Sequence, residues 1–193
     1  MTEKQIIRVG FAGRFDDCEC DMIEKLREIS KRNIINVFIR PFIMTVTEKR
    51  GDEALPTEKL QELINETKLC RWRNAKKGIN FYDSTLPESI AYRKMSNIET
   101  PQEQLDNICK SRYDLIFYIP YPPSPKTPSA EQKTSMKEMQ QLDQFKRQGL
   151  KDCGYEVVEV PAFEGKNIAQ QRLYFILNYV AQQFPEFADD LKI

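Results

Sequence analysis

The chain alternates short apolar runs with longer stretches whose apolar positions recur at helical spacing. "IIRVGFA" reads as a first strand, and the "MIEKLREI" behind it sets Met22, Ile23, Leu26 and Ile29 on one helical stripe. "INVFIRPFIMTV" is rich in β-branched and aromatic residues and reads as a second strand, which Pro41 ends early or places beside an edge. "LPTEKLQELINETKLCRW" follows as a helix, with Thr57 as N-cap and Leu60, Leu63 and Ile64 turned inward. "INFYD" is short and apolar, and "LPESIAYRKM" and "PQEQLDNICKSR" read as two further helices.

"YDLIFYIP" is apolar on both faces, as a buried parallel strand requires. The polar, proline-rich window "PYPPSPKTPS" separates it from "SAEQKTSMKEMQQLDQFKRQGLKDCG", a long helix that ends at Gly154, a residue suited to the position after a helix C-cap. "YEVVEVP" is the next strand. "NIAQQRLYFILNYVAQQF" closes the chain as a helix, with Ile168, Leu173, Ile176, Leu177, Val180 and Phe184 as the stripe that packs on the sheet. This alternation predicts an α/β fold, a mostly parallel sheet with helices on both faces. The length and the lack of any internal repeat point to a single domain over residues 1–193.

Composition narrows the function classes. The 29 basic and 29 acidic residues cancel, so nothing global favours nucleic acid or an anionic membrane as the main partner. No apolar run approaches the roughly 20 residues that cross a bilayer, and "MTEKQIIRVG" has no apolar leader core; a cytoplasmic location is expected. The five cysteines, odd in number and mostly far apart, are then expected as reduced thiols. The chain has no histidine, which excludes Ser-His-Asp and Cys-His nucleophiles and any His-ligated metal. Cys18 and Cys20 form C-x-C beside Asp16, Asp17 and Asp21, yet zinc requires two more soft ligands and the aspartates match no Ca²⁺ loop. No metal site is expected.

One segment carries a partner-binding pattern. "KLCRWRNAKKG" groups Lys68, Arg71, Arg73, Lys76 and Lys77 around Trp72. Basic residues interleaved with an aromatic can hold an acidic protein partner or single-stranded nucleic acid. A solvated helix end, where the dipole favours cations, has the same composition.

The succession "FYDSTLPESIAY", "YDLIFYIPYPP", a polar lid at about 120–135, a long helix and "GYEVVEVP" resembles the AAA_28-type group of small P-loop kinase-like ATPases, near the nicotinamide-riboside and deoxynucleoside kinases. The resemblance covers most of the chain and is most specific from Phe81 to Pro161. It implies a three-layer P-loop kinase domain whose first strand enters a Walker A loop, G-x-x-x-x-G-K-[ST]. Laid on that pattern, Gly13 takes the first glycine and Arg14, Phe15, Asp16 and Asp17 the next four positions. Cys18 takes the second glycine, Glu19 the lysine and Cys20 the serine or threonine.

Such a loop works through backbone N–H groups, a lysine on the phosphates and a hydroxyl on Mg²⁺. Glu19 reverses the sign of the lysine. At about 4 Å that replaces an attraction of roughly 1–4 kcal/mol by a repulsion of similar size. Side-chain carboxylates are then expected in the place of the phosphate; a helix N-cap on the surface would read the same way.

Two further positions follow from the resemblance. Asp83 matches the acidic residue that relatives keep as general base or Mg²⁺-linked group, with Ser84 where arginine often follows; a cap for the next helix fits it equally. In the lid, the arginine expected to clamp phosphates reads as Gln132, with Lys126 and Lys133 nearby. The expected function is a pseudo-NTPase with no cofactor, a binding or assembly module for a protein partner. The alternatives are an active small nucleotide or nucleoside kinase using Mg-ATP, and a nucleoside deoxyribosyltransferase-like enzyme.

Overall fold

The computed structural model describes the backbone of residues 5–13, 17–30, 35–38, 57–120 and 130–191, and the side chains of 5–13, 22–29, 36–37, 58–120 and 136–191. In chain order the elements are β1 (Ile6–Gly13), α1 (Asp17–Ser30), β2 (Ile35–Phe38), α2 (Thr57–Arg73), β3 (Gly78–Tyr82) and α3 (Glu88–Met95). There follow α4 (Gln102–Lys110), β4 (Leu115–Ile119), α5 (Ala130–Asp152), β5 (Val158–Glu159) and α6 (Ile168–Gln183), with a 3₁₀ turn at Pro185–Phe187.

The five strands form one parallel sheet in the order β2-β3-β1-β4-β5. Parallel neighbours cannot be joined by tight turns, so each connection crosses a face of the sheet through a helix. β1 lies at the centre, with Val9 opposite Phe81 of β3 on one side and Leu115 of β4 on the other.

Side-chain alternation along the central strands divides the core in two. Ile7, Val9 and Phe11 face one layer with Ile79, Phe81, Phe117 and Ile119, covered by Met22, Ile23 and Leu26 of α1 and by Leu173, Ile176, Leu177 and Val180 of α6. The Phe11 and Phe81 rings stack there at 5.8 Å between centroids. Ala12, Tyr82, Ile116 and Tyr118 face the opposite layer, which buries Leu86, Ile108, Leu150 and Cys153 from the α3, α4 and α5 side. The apolar stripes expected on α1 and α6 are therefore the surfaces that cover the first face.

Three expectations change. The strand expected over "YEVVEVP" is reduced to Val158–Glu159, because β5 is an edge strand that meets only Phe117 and Tyr118 of β4. In α2 the buried positions are Asn65 and Lys68, while Leu60, Leu63 and Ile64 are only half-buried. The expectation of reduced thiols fails at Cys109 and Cys153, which form a disulfide with Cα atoms 4.7 Å apart. Their helix ends are drawn together by Tyr155, whose hydroxyl donates to the Ser111 carbonyl and accepts from the Tyr113 N–H, and by Arg112, whose guanidinium bonds the Cys153 and Gly154 carbonyls. Cys70 is exposed as a free thiol.

Candidate functional site

In an open parallel sheet, ligands bind outside the carboxyl ends of the strands. Here that end carries Gly13 at the end of β1, Asp83 after β3 and Ile119 at the end of β4. Gly13 has φ +104°, and a Cβ there would lie 2.1 Å from the Ile119 carbonyl oxygen, so only glycine fits this position. Three residues, 14–16, join β1 to α1. Asp17, Cys18, Glu19 and Cys20 thus belong to the first turn of α1, with Glu19 at the level of the helix N-terminus.

Arg14, Phe15, Asp16 and Lys126 lie outside the described residues. Gln132 and Lys133 belong to the backbone of α5, but their side chains, like those of Asp17 to Cys20, are outside the description too.

Gly13 is gripped from two helices. Its N–H donates to Glu88 Oε1 at 3.2 Å, and its carbonyl accepts from Lys146 Nζ at 2.5 Å. Glu88 and Lys146 also pair with each other at 3.2 Å, with side chains 1% and 2% exposed. The second oxygen of Glu88 accepts from the Thr85 N–H at 2.9 Å and the Thr85 hydroxyl at 3.2 Å. Lys146 reaches this point because α5 runs close against α3: a Cβ on Gly149 would stand 3.0 Å from the Pro87 carbonyl oxygen.

Sequence reasoning missed this arrangement. Its one local signal is "TLPE", Thr85 to Glu88, the S/T-x-x-E spacing of a capping box, in which the acidic side chain reaches back to the backbone N–H three residues earlier.

Asp83 is placed at the tip of β3 and is 4% exposed, beside Ser84 and Thr85, which are also buried. Lys68, grouped in sequence with the cations around Trp72, departs from them. It is 8% exposed and donates from Nζ to the Thr85 carbonyl at 2.9 Å, at the carboxyl end of the sheet. Asp83, Glu88, Lys68 and Lys146 together bring two negative and two positive groups to this end. A phosphate cradle needs a surplus of positive charge, and these four supply none.

The remaining basic residues gather at the opposite end, where β1, β3 and β4 begin. Arg73, Lys76 and Lys77 are exposed and Arg71 half-buried. Trp72 is half-buried against the second core layer. Its indole N–H donates to the Arg112 carbonyl at 2.9 Å, and the Arg8 guanidinium sits 4.4 Å from its ring centre. Trp72 is therefore an anchor with one face covered, rather than an open stacking platform.

Tyrosines line the second layer. Burial pushes the Tyr82 hydroxyl up to about 12, against the lowering effect of Arg8. Tyr113 and Tyr118 are also raised, by burial first and, for Tyr118, by its hydrogen bond of 2.5 Å to Asp143 Oδ1. None of these three offers a base near neutral pH.

Residues 23–168 match the model of an AAA domain family, AAA_28. The chain belongs to this family. The matched region of this AAA_28 protein includes Asp83, Glu88 and Lys146 and starts after the loop from Gly13 to Cys20. No curated protein matches the chain. Among solved structures, a thymidylate kinase from Ehrlichia chaffeensis is similar with a TM-score of 0.60 at 13% identity, covering 90% of this chain and 98% of its own. A deoxyadenosine kinase from M. mycoides has a TM-score of 0.53 at 13% identity, covering 92% of this chain and all of its own. The fold is thus like that of the P-loop nucleotide and nucleoside kinases. Among the described residues no helix is long and apolar enough to cross a membrane.

Proposed function

We propose that this AAA_28 protein is a pseudo-NTPase, a P-loop domain that does not turn over nucleotide and serves in the cytoplasm as a binding or assembly module for a protein partner. The observation that carries the reading is the Lys146 amine. Among the described residues it is the cation at the start of the loop, and Glu88 and the Gly13 carbonyl hold it. The position of the loop's own lysine is Glu19, which repels phosphate at a helix N-terminus where an anion is otherwise welcome. The acidic loop and the balanced charges behind it act in the same direction. The exposed cations Arg73, Lys76 and Lys77 at the far end of the sheet offer a surface for an acidic partner.

Calorimetric titration with ATP, GTP and a deoxynucleoside, each with Mg²⁺, tests the reading directly. The expected result is no binding at millimolar ligand. Binding in the micromolar range, about −8 kcal/mol, is more than a self-repelling loop can give and overturns it.

The second reading is an active small kinase, with Asp83 as general base and Lys126 and Lys133 as phosphate clamps. It draws on the place of Asp83 at the tip of β3 in a fold shared with two deoxynucleoside-related kinases. Mg-ATP binding together with transfer of its γ-phosphoryl group to a nucleoside or nucleotide would establish it.

A further inference from the structure

The Glu88 carboxylate is bound by backbone amides and a lysine amine, the donors with which a P-loop binds phosphate, and by a hydroxyl besides. Two backbone N–H groups (Gly13 and Thr85), one hydroxyl (Thr85) and one lysine amine (Lys146) converge on its two oxygens, all at 2.9–3.2 Å. Backbone amides, a hydroxyl and an amine are the donors that recur in oxyanion recognition, because each offers a hydrogen without adding negative charge. The donors come from β1, the segment after β3, and α5, so no single element accounts for them.

We propose that this pocket is an oxyanion site occupied by the chain's own Glu88 carboxylate, and that it accepts a small external oxyanion once that carboxylate is removed. The inference rests on the non-catalytic reading and gives it a physical cause: the anion site at the base of the loop is already filled. A glutamate that only capped α3 would be satisfied by Thr85 and would lie at the surface. Glu88 is instead 1% exposed, and its other oxygen goes to Gly13 and Lys146. Lys146, itself 2% exposed, cannot be buried as a cation without an anion beside it, so the pocket requires an occupant of opposite sign.

The test is thermal unfolding of Glu88→Ala in chloride, in formate and in inorganic phosphate at matched ionic strength. Formate reproduces the lost carboxylate, and phosphate is the oxyanion that a P-loop binds. The expected result is a variant less stable than wild type in chloride, with a saturable rise in Tm of at least about 3 °C in one of the two oxyanions. Wild type should show no saturable rise, and adding Lys146→Met to Glu88→Ala should abolish it. Should Glu88→Ala be unfolded in chloride, formate or phosphate is expected to restore its native circular dichroism. A variant that neither gains stability nor refolds in either anion overturns the proposal, as does an equal response without Lys146. Nucleotide titration of wild type decides the pseudo-NTPase reading separately, so the two can fail independently.

Discussion

The Lys146 amine on α5 donates to the carbonyl of Gly13, the last residue of β1, at 2.5 Å across 133 positions of sequence. The same amine pairs with Glu88, so removing it takes a counter-charge away from a buried carboxylate. Breaking one partner of a buried ion pair typically costs about 3–5 kcal/mol, whereas replacing both by uncharged groups is nearly neutral. Lys146→Met is expected to lose stability in that range, and Lys146→Met with Glu88→Gln to recover most of it. Urea unfolding of the four members of this double-mutant cycle measures the coupling. A single Lys146→Met within 1 kcal/mol of wild type rules the linkage out.

Gly13 itself tolerates no side chain. Its φ of +104° and the 2.1 Å approach of an added Cβ to the Ile119 carbonyl act together, and the obstructing atom is backbone in the centre of the sheet. Gly13→Ala is expected to cost more than about 3 kcal/mol or to prevent folding. Gly165, with φ +90° and nothing near its missing Cβ, is the control: Gly165→Ala carries the conformational strain alone. Comparing their Tm values separates contact from backbone preference.

The layer architecture was legible because the apolar spacing of β1, α1, β4 and α6 is set by one requirement, an apolar surface facing the sheet. Met22, Leu26, Ile176 and Val180 could be placed inward from their spacing, and all four are buried. The Glu88–Lys146 pair was not legible, because 58 residues separate its members and only the crossing of α3 and α5 brings them together. Lys68 misled for a related reason: a cation beside four others in sequence faces inward when its side of the helix meets a free carbonyl, here that of Thr85. Cys109 and Cys153 were invisible as a pair, since a separation of 44 residues says nothing about two helix ends meeting.

The buried tyrosines set an alkaline limit. Tyr82, with its hydroxyl raised to about 12, keeps its proton in the folded protein while the unfolded chain loses it near 10. Between those values the unfolded state binds fewer protons, so stability, fully present below pH 10, falls as pH rises towards 12. Tyr82 alone contributes a slope of up to about 1.4 kcal/mol per pH unit. Tyr113, Tyr118 and Tyr155 shift in the same direction and steepen it. Urea midpoints should be flat from pH 8 to about 9.5 and drop beyond, together with a cooperative rise in tyrosinate absorbance. Tyrosinate appearing near pH 10 without unfolding contradicts the burial.

The Cys109–Cys153 bond closes a segment containing β4, the lid region and all of α5. Loop-closure entropy for 44 residues gives about 4 kcal/mol of stabilisation, of which proteins commonly retain 2 or more. Reduction with dithiothreitol is expected to lower the urea midpoint accordingly, and Cys109→Ser to match the reduced protein. Cys70→Ser, at the exposed thiol, should leave it unchanged.

The loop conversion addresses function most directly. Cys18→Gly with Glu19→Lys restores two of the three residues in which the loop departs from the Walker pattern, leaving Cys20, on a fold similar to that of a thymidylate kinase. Reversing the charge at about 4 Å from a phosphate exchanges a repulsion of roughly 1–4 kcal/mol for an attraction of the same size. The double variant is therefore expected to bind Mg-ATP with a Kd of about 1 mM or tighter, near −4 kcal/mol, where wild type shows none. Glu19→Lys alone should gain less, because Cys18 still restricts the backbone that must wrap the phosphates. Glu88 makes the outcome informative in either case. If the double variant gains nothing while Glu88→Ala added to it does, the internal carboxylate is the dominant block. If neither binds, the loop from Gly13 to Cys20 is no longer a phosphate loop in shape, whatever its charge.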